Sequence, residues 1–221
     1  MIRFVKINQM ISLPSILKNE RDLYEGDLVY YFRVIIKYAT NLKNPYHNLR
    51  HMLHITWLSY DACIYYRRQL SRKQMRILLI AALFHDFDHS GKVGNDQKEI
   101  KRAIVGLKKH IQKQDLPLLE QITELIKITE FPHQESLSAL SLEAQILRDA
   151  DLSQGLSDTW IQQSAIGLGV ESSVDPVKML KEQISFYNNL NFKTVWAKKK
   201  FTKKKIKDRQ QEIREYLSLL N

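Results

Sequence analysis

"SRKQMRILLIAALFHDF", residues 71–87, is the stretch on which the fold turns. Ser71 is a helix-start residue, because its hydroxyl can accept a backbone N–H that the first turn leaves unpaired. From Ile77 to Phe84 every side chain is apolar. A helix with no polar face belongs in a core, and this run is far shorter than the roughly 20 residues a bilayer requires. The reading is a central, buried helix. Its end is unusual: "FHDFDH" places His85, Asp86, Asp88 and His89 directly after the apolar run. Such groups are costly to bury unless they are paired or bind a metal.

Working outward, helices are predicted over 24–42, with Gly26 near the start, and from Tyr46 to about Gln69, after the interruption at Pro45. "HSGKVGND" (89–96) reads as a loop with two glycines. Helices are predicted over 96–114, 117–130 and 136–153, and "GLGVESSVDP" (167–176) reads as a second loop. One or two helices should fill 176–221. No long stretch alternates with period two, so no large sheet is expected. The fold class is all-α: a helical bundle around a buried central helix that ends in a His-Asp pair.

The chain has 221 residues, enough for one well-buried domain and short for two, so 1–221 is read as a single domain. Its one cysteine, Cys63, excludes an internal disulfide and reads as a small core residue in a reducing compartment. The N-terminal "MIRFVKINQMISLPSIL" lacks the uninterrupted apolar core of a secretion signal. The expectation is a soluble cytoplasmic protein with no membrane span. The net charge of +10 is concentrated: residues 193–209 hold nine Lys or Arg against Asp208 alone, which is +8. This basic C-terminal helical segment, about 193–221, reads as a solvated helix face or as a contact for an acidic partner. Few aromatics interleave with it, so a dedicated nucleic-acid module is not indicated.

Three of the seven histidines lie in "NPYHNLRHMLH", residues 44–54. His47 and His51, four apart, share a helix face. His51, together with His85 and Asp86, offers nitrogen and oxygen donors to a divalent ion, and a further acid from a distant helix would complete the set. "ILRDADLSQG" (146–155) supplies Asp149 and Asp151. Two apart on a helix, they point in different directions, so at most one faces a given metal. His54 reads as a packing residue, His110 as solvated, and the ten tyrosines as packing groups.

The order HxxxH, then HD after an apolar helix, then DxD resembles the HD-domain metal-dependent phosphohydrolases, and within them the class I cyclic-nucleotide phosphodiesterases. "NPYHNLRH" is similar to that family's YHNxxH motif, "FHDFDHSG" to HDxDHxG, and "DADLS" to ADLS. "ITEFPH" (128–133) and "KEQISFY" (181–187) are weaker matches. The resemblance implies that His51, His85, Asp86 and Asp151 hold a first metal, with Asp86 bridging to a second that is held mostly by water. Two divalent ions are implied, from among Zn, Mn, Fe and Mg. His47 would be the general acid, and His89 a second, water-binding histidine. Gln183 and Phe186 would contact a base, and Glu130 and His133 would face the site. The implied activity is hydrolysis of a 3',5'-cyclic nucleotide or similar nucleotide phosphoester, with a nucleotide monoester or alarmone as the alternative substrate. A non-catalytic nucleotide-sensing domain is a further alternative. There are departures. The interval from the HD pair to Asp151 is short, Gln154 stands where the family commonly has Asn, and Asn95, Asp96 and Glu99 stand in place of a usual acidic run.

Overall fold

A computed structural model describes residues 17–18, 23–92, 94–132 and 140–220. These form α1 (Val29–Tyr38), α2 (Leu49–Tyr65), α3 (Arg72–Phe84), α4 (Asp96–His110), α5 (Leu119–Lys127), α6 (Leu142–Asp151), α7 (Leu168–Ser172), α8 (Pro176–Asn189), α9 (Val195–Lys200) and α10 (Lys203–Leu219). Short 3-10 turns occupy Lys113–Leu118 and Gln154–Leu156, and a π-helical turn runs from Ile161 to Gly167. The chain is all-α, with no strand among the described residues.

The apolar run behaves as its composition requires. Ser71 opens α3 with a reciprocal cap: its hydroxyl accepts from the Gln74 N–H (3.2 Å), and the Gln74 side-chain oxygen accepts from the Ser71 N–H (3.0 Å). Every residue from Met75 to Phe84 is buried. α3 packs against α1, α2, α4, α5 and α6. Each fully buried Leu or Ile in it contributes about 1.5–3 kcal/mol, and this sheath of helices carries distant segments to the two ends of α3.

At its N-terminal end, α3 buries one charge, Arg76. Its guanidinium makes a two-pronged pair with Asp115 (Nε–Oδ1 2.7 Å, Nη2–Oδ2 2.8 Å), and the Tyr31 hydroxyl donates to the same carboxylate at 2.6 Å. Arg76 also donates to the carbonyls of Glu25 and Gly26. That grip holds residues 25–26 in a turn, with Gly26 at φ 65°, and explains why the helix predicted over 24–42 begins only at Val29.

Two other expectations differ. The segment 167–176 is not all loop: α7 occupies Leu168–Ser172, and only then does the chain turn, with Ser173 at φ 54° and Asp175 capping α8. The glycines suggested a loop, yet Gly167 serves a close approach. A β-carbon there would stand 2.3 Å from the Pro45 carbonyl oxygen, so the turn at Pro45 can lie directly on this helical segment. The C-terminal stretch forms three helices rather than one or two, because Thr194 and Thr202 each cap a new start. The basic segment is docked. Trp196, Ala197 and Phe201 are buried, and Asp61 accepts from both the Trp196 indole (2.8 Å) and Lys200 (2.9 Å). Cys63 is buried, as expected. Among the described residues no helix is long and apolar enough to cross a membrane.

Candidate metal centre

α2, α3 and α6 bring their ends together. Asn48 caps α2 by accepting from the His51 N–H, which fixes the first turn on which His51 sits. His85 and Asp86 follow the last turn of α3, and Asp151 closes α6. The four side chains meet. His51 Nε2 lies 3.3 Å from Asp86 Oδ2 and 3.1 Å from Asp151 Oδ1. His85 Nε2 lies 3.3 Å and 3.8 Å from the same two atoms. Donors about 2.1 Å from one ion stand about 3.0–3.4 Å apart at right or tetrahedral angles, so these separations suit a shared cation.

The ring orientations agree. His85 donates Nδ1–H to the Ala82 carbonyl at 2.8 Å, and the Gln154 amide oxygen lies 3.4 Å from His51 Nδ1. Carbonyl oxygens only accept, so each imidazole carries a proton on Nδ1 and points Nε2, the nitrogen a metal would take, toward the cluster. The decisive detail is what these atoms lack. His85 Nε2 and Asp86 Oδ2 are buried, and neither has a hydrogen bond. They are close without being aligned to each other, as expected of two atoms that point at a common third. The residues present therefore fit a divalent metal.

The charges of the cluster act strongly on one another. Burial works against protonated His85, but the adjacent Asp86 and Asp151 carboxylates and the Ala82 carbonyl outweigh it and raise the imidazole to about 9. Burial also works against ionised Asp86, yet His85, His47 and His51 hold it well below the usual carboxylate range. Asp151 is lowered too, with burial outweighed by His51 and His85.

His47 stands beside this cluster rather than in it. Its Nδ1 lies 2.5 Å from Glu171 Oε2, and the other Glu171 oxygen accepts the backbone N–H groups of Tyr46 and His47. The His47 ring stacks on His89, with centroids 3.7 Å apart and planes at 19°. The two rings are driven apart in proton affinity. For His47, burial is overcome by Asp86, Glu171 and Asp151, so its pKa is raised. For His89, burial and the neighbouring His47 dominate and lower it to about 4. One ring of the stack is thus suited to carry a proton and the other to remain neutral. The donor atoms of His47, His89 and Glu171 lie within 4.8 Å of one another.

Of the two candidate acids in "DAD", Asp151 reaches the cluster. Asp149 turns away and accepts the backbone N–H groups of Lys193 (2.8 Å) and Thr194 (2.7 Å), which anchors the entry to α9. Asn95 caps α4, Asp96 accepts from the Phe131 N–H (2.6 Å), and Glu99 holds Ser90 through both oxygens. Glu130 lies half-buried just after α5, and His133 falls outside the described residues. Gln183 is buried, with its amide 3.8 Å from Met179 sulfur and its oxygen close to Gly155. Phe186 lines a cavity that none of the four converging residues lines.

Residues outside any motif complete the arrangement. Asn41, almost fully buried, donates to the carbonyls of His47 and Asp86 (2.8 Å each) and accepts from the Asp88 N–H. It ties the two histidine segments together, and this lets Asp88 turn at φ 62°. Glu171 lay in an expected loop, and Gln154 stood out only as a departure from a motif. A glutamate preceded by glycines and valine carries no local sign that it will bind a histidine 124 residues away. Neither a scan against protein-family models nor a search of curated proteins returned a match for this chain.

Proposed function

We propose that this protein is a metal-dependent phosphoester hydrolase with a nucleotide-type substrate, of the HD-domain kind its motifs resemble. The observation that carries the reading is the pair of buried, unbonded atoms His85 Nε2 and Asp86 Oδ2, with His51 and Asp151 turned to the same point. His51, His85, Asp86 and Asp151 would hold a divalent ion such as Zn, Mn, Fe or Mg, with Asp86 shared with a second. Such ions supply Lewis-acid activation of water and charge for the phosphoryl oxygens.

The chain's own residues do the rest. Gln154 and the Ala82 carbonyl fix the tautomers of the two ligand imidazoles. Glu171 fixes His47 and favours its protonated form, so His47 can give a proton to a departing alkoxide. His89 stays neutral beneath it and keeps a second cation from competing for Glu171. Because Gln183 packs against Met179 and Gly155, a phosphomonoester is the second reading beside a base-clamped cyclic nucleotide.

The test is hydrolysis by metal-loaded protein of cyclic nucleotides, nucleoside monophosphates, alarmones and bis(p-nitrophenyl) phosphate, with wild type beside His47→Ala. His47→Ala should keep its metal and lose about 10²–10⁴-fold on alkoxide leaving groups, and far less on p-nitrophenolate. Equal losses on both would end the acid role. No turnover of any phosphoester would end the proposal.

A further inference from the structure

A cavity of about 1100 Å³ lies between α6, α8 and the segment that leads into α9, and Asp151 does not line it. Arg148 lines it. This arginine is 8% exposed, and its guanidinium has no ion pair or hydrogen bond among the described residues. The contrast with Arg76, whose guanidinium is filled by one carboxylate and two carbonyls, is direct. The Arg148 guanidinium is open to the cavity and has no protein partner among the described residues, so an anion in the cavity could pair with it.

The other charges that line the cavity are Lys193 and Lys198 against Asp149 and Glu182, which with Arg148 leaves the lining positive by one. Lys193 and Lys198, from the basic segment, stand exposed at the rim. Asp149 acts on Arg148 only at a distance: no ion pair joins them, and its oxygens accept the backbone N–H groups of Lys193 and Thr194. Glu182 also lines the cavity and lies 3.9 Å from Lys178. Burial lowers the Arg148 guanidinium from its ordinary value, only partly offset by Asp149. The walls are apolar and flat where Phe186 and Phe192 line them. The volume is slightly above the about 300–1000 Å³ usual for small-molecule sites.

We propose that this cavity is a second ligand site, separate from the candidate metal centre, for an organic phosphate with a flat apolar body of nucleotide size. Arg148 meets the phosphate with its planar fork of donors, Lys193 and Lys198 add charge at the rim, and Phe186 and Phe192 flank the body. The basic segment then contributes to a defined anion site rather than to a diffuse surface. The inference does not depend on the hydrolytic reading.

The experiment is calorimetric titration of the full chain with AMP, and separately with inorganic phosphate, in EDTA so that no metal supports phosphate binding at the other site. Wild type should bind AMP saturably and more tightly than inorganic phosphate. Arg148→Met should weaken AMP at least tenfold, while its ligand-free melting temperature stays equal to or above that of wild type. Should Arg148→Met fail to fold, Lys193→Ala/Lys198→Ala, at two exposed positions, should still weaken AMP several-fold. No saturable AMP binding, undiminished binding in the variant that folds, or equal affinity for AMP and inorganic phosphate would overturn the proposal.

Discussion

Two buried charged clusters sit at opposite ends of α3, and they are built on different principles. At the N-terminal end, Arg76, Asp115 and Tyr31 satisfy one another, with the Glu25 and Gly26 carbonyls: every carboxylate oxygen and every guanidinium nitrogen has a partner within 3.1 Å. At the C-terminal end, His51, His85, Asp86 and Asp151 crowd just as closely, yet two of their atoms are buried with no hydrogen bond at all. The same helix and the same burial thus give one cluster that closes on itself and one that keeps two buried polar atoms without a partner. Proximity of charges does not mark a functional site. Unspent bonding capacity at short range does.

The comparison can be broken most sharply at Asp86. Asp86→Ala should remove metal from the folded protein and lower phosphoester hydrolysis by about 10³-fold or more, the equivalent of several kcal/mol of charge stabilisation. Metal analysis and activity on the same sample check it. Full metal content in that variant would make the open cluster a structural one like its counterpart.

At the closed end the effect should fall on stability alone. Asp115→Ala leaves Arg76 buried without its anion and should cost about 3–5 kcal/mol in urea unfolding. The fraction that remains folded should bind metal as wild type does. A joint loss of stability and metal affinity would mean that the two ends of α3 are not independent.

A smaller effect is expected from Gln154, which contacts no metal ligand atom but holds the far nitrogen of His51. Gln154→Ala should weaken metal binding about 10–100-fold, as the loss of an orienting hydrogen bond does elsewhere, with little change in unfolding. Chelator competition measures it. An unchanged affinity would show that His51 is oriented by packing alone.

The smallest effect distinguishes the clusters by pH. His85 is raised to about 9 in the metal-free protein, so at neutral pH a metal must displace its proton. Metal affinity should therefore rise about tenfold per pH unit below about 9 and level off above it. Calorimetry in buffers of different ionisation enthalpy should show about one proton released per metal from this group. No proton release at pH 7.5 would remove His85 from the ligand set.

What the sequence by itself determined is local. The apolar run from Ile77 to Phe84 had to be buried, Ser71 had to start its helix, and His85 and Asp86 had to emerge where that helix ends. Those follow from side-chain polarity and the backbone groups left open at a helix start, which act within a few residues. The four residues that meet at the end of α3 were legible as an ordered pattern of donors. Helix geometry left open which of Asp149 and Asp151 reaches the cluster, and only the motif resemblance implied Asp151. Tertiary structure decided it, because their side chains leave α6 in different directions and only packing says what lies there. It also decided that Glu171 binds His47, that Asn41 joins two segments, that Asp115 fills Arg76, and that Arg148 is left without an anion. Each of these depends on how helices distant in sequence cross, and no propensity at the residue itself encodes a crossing.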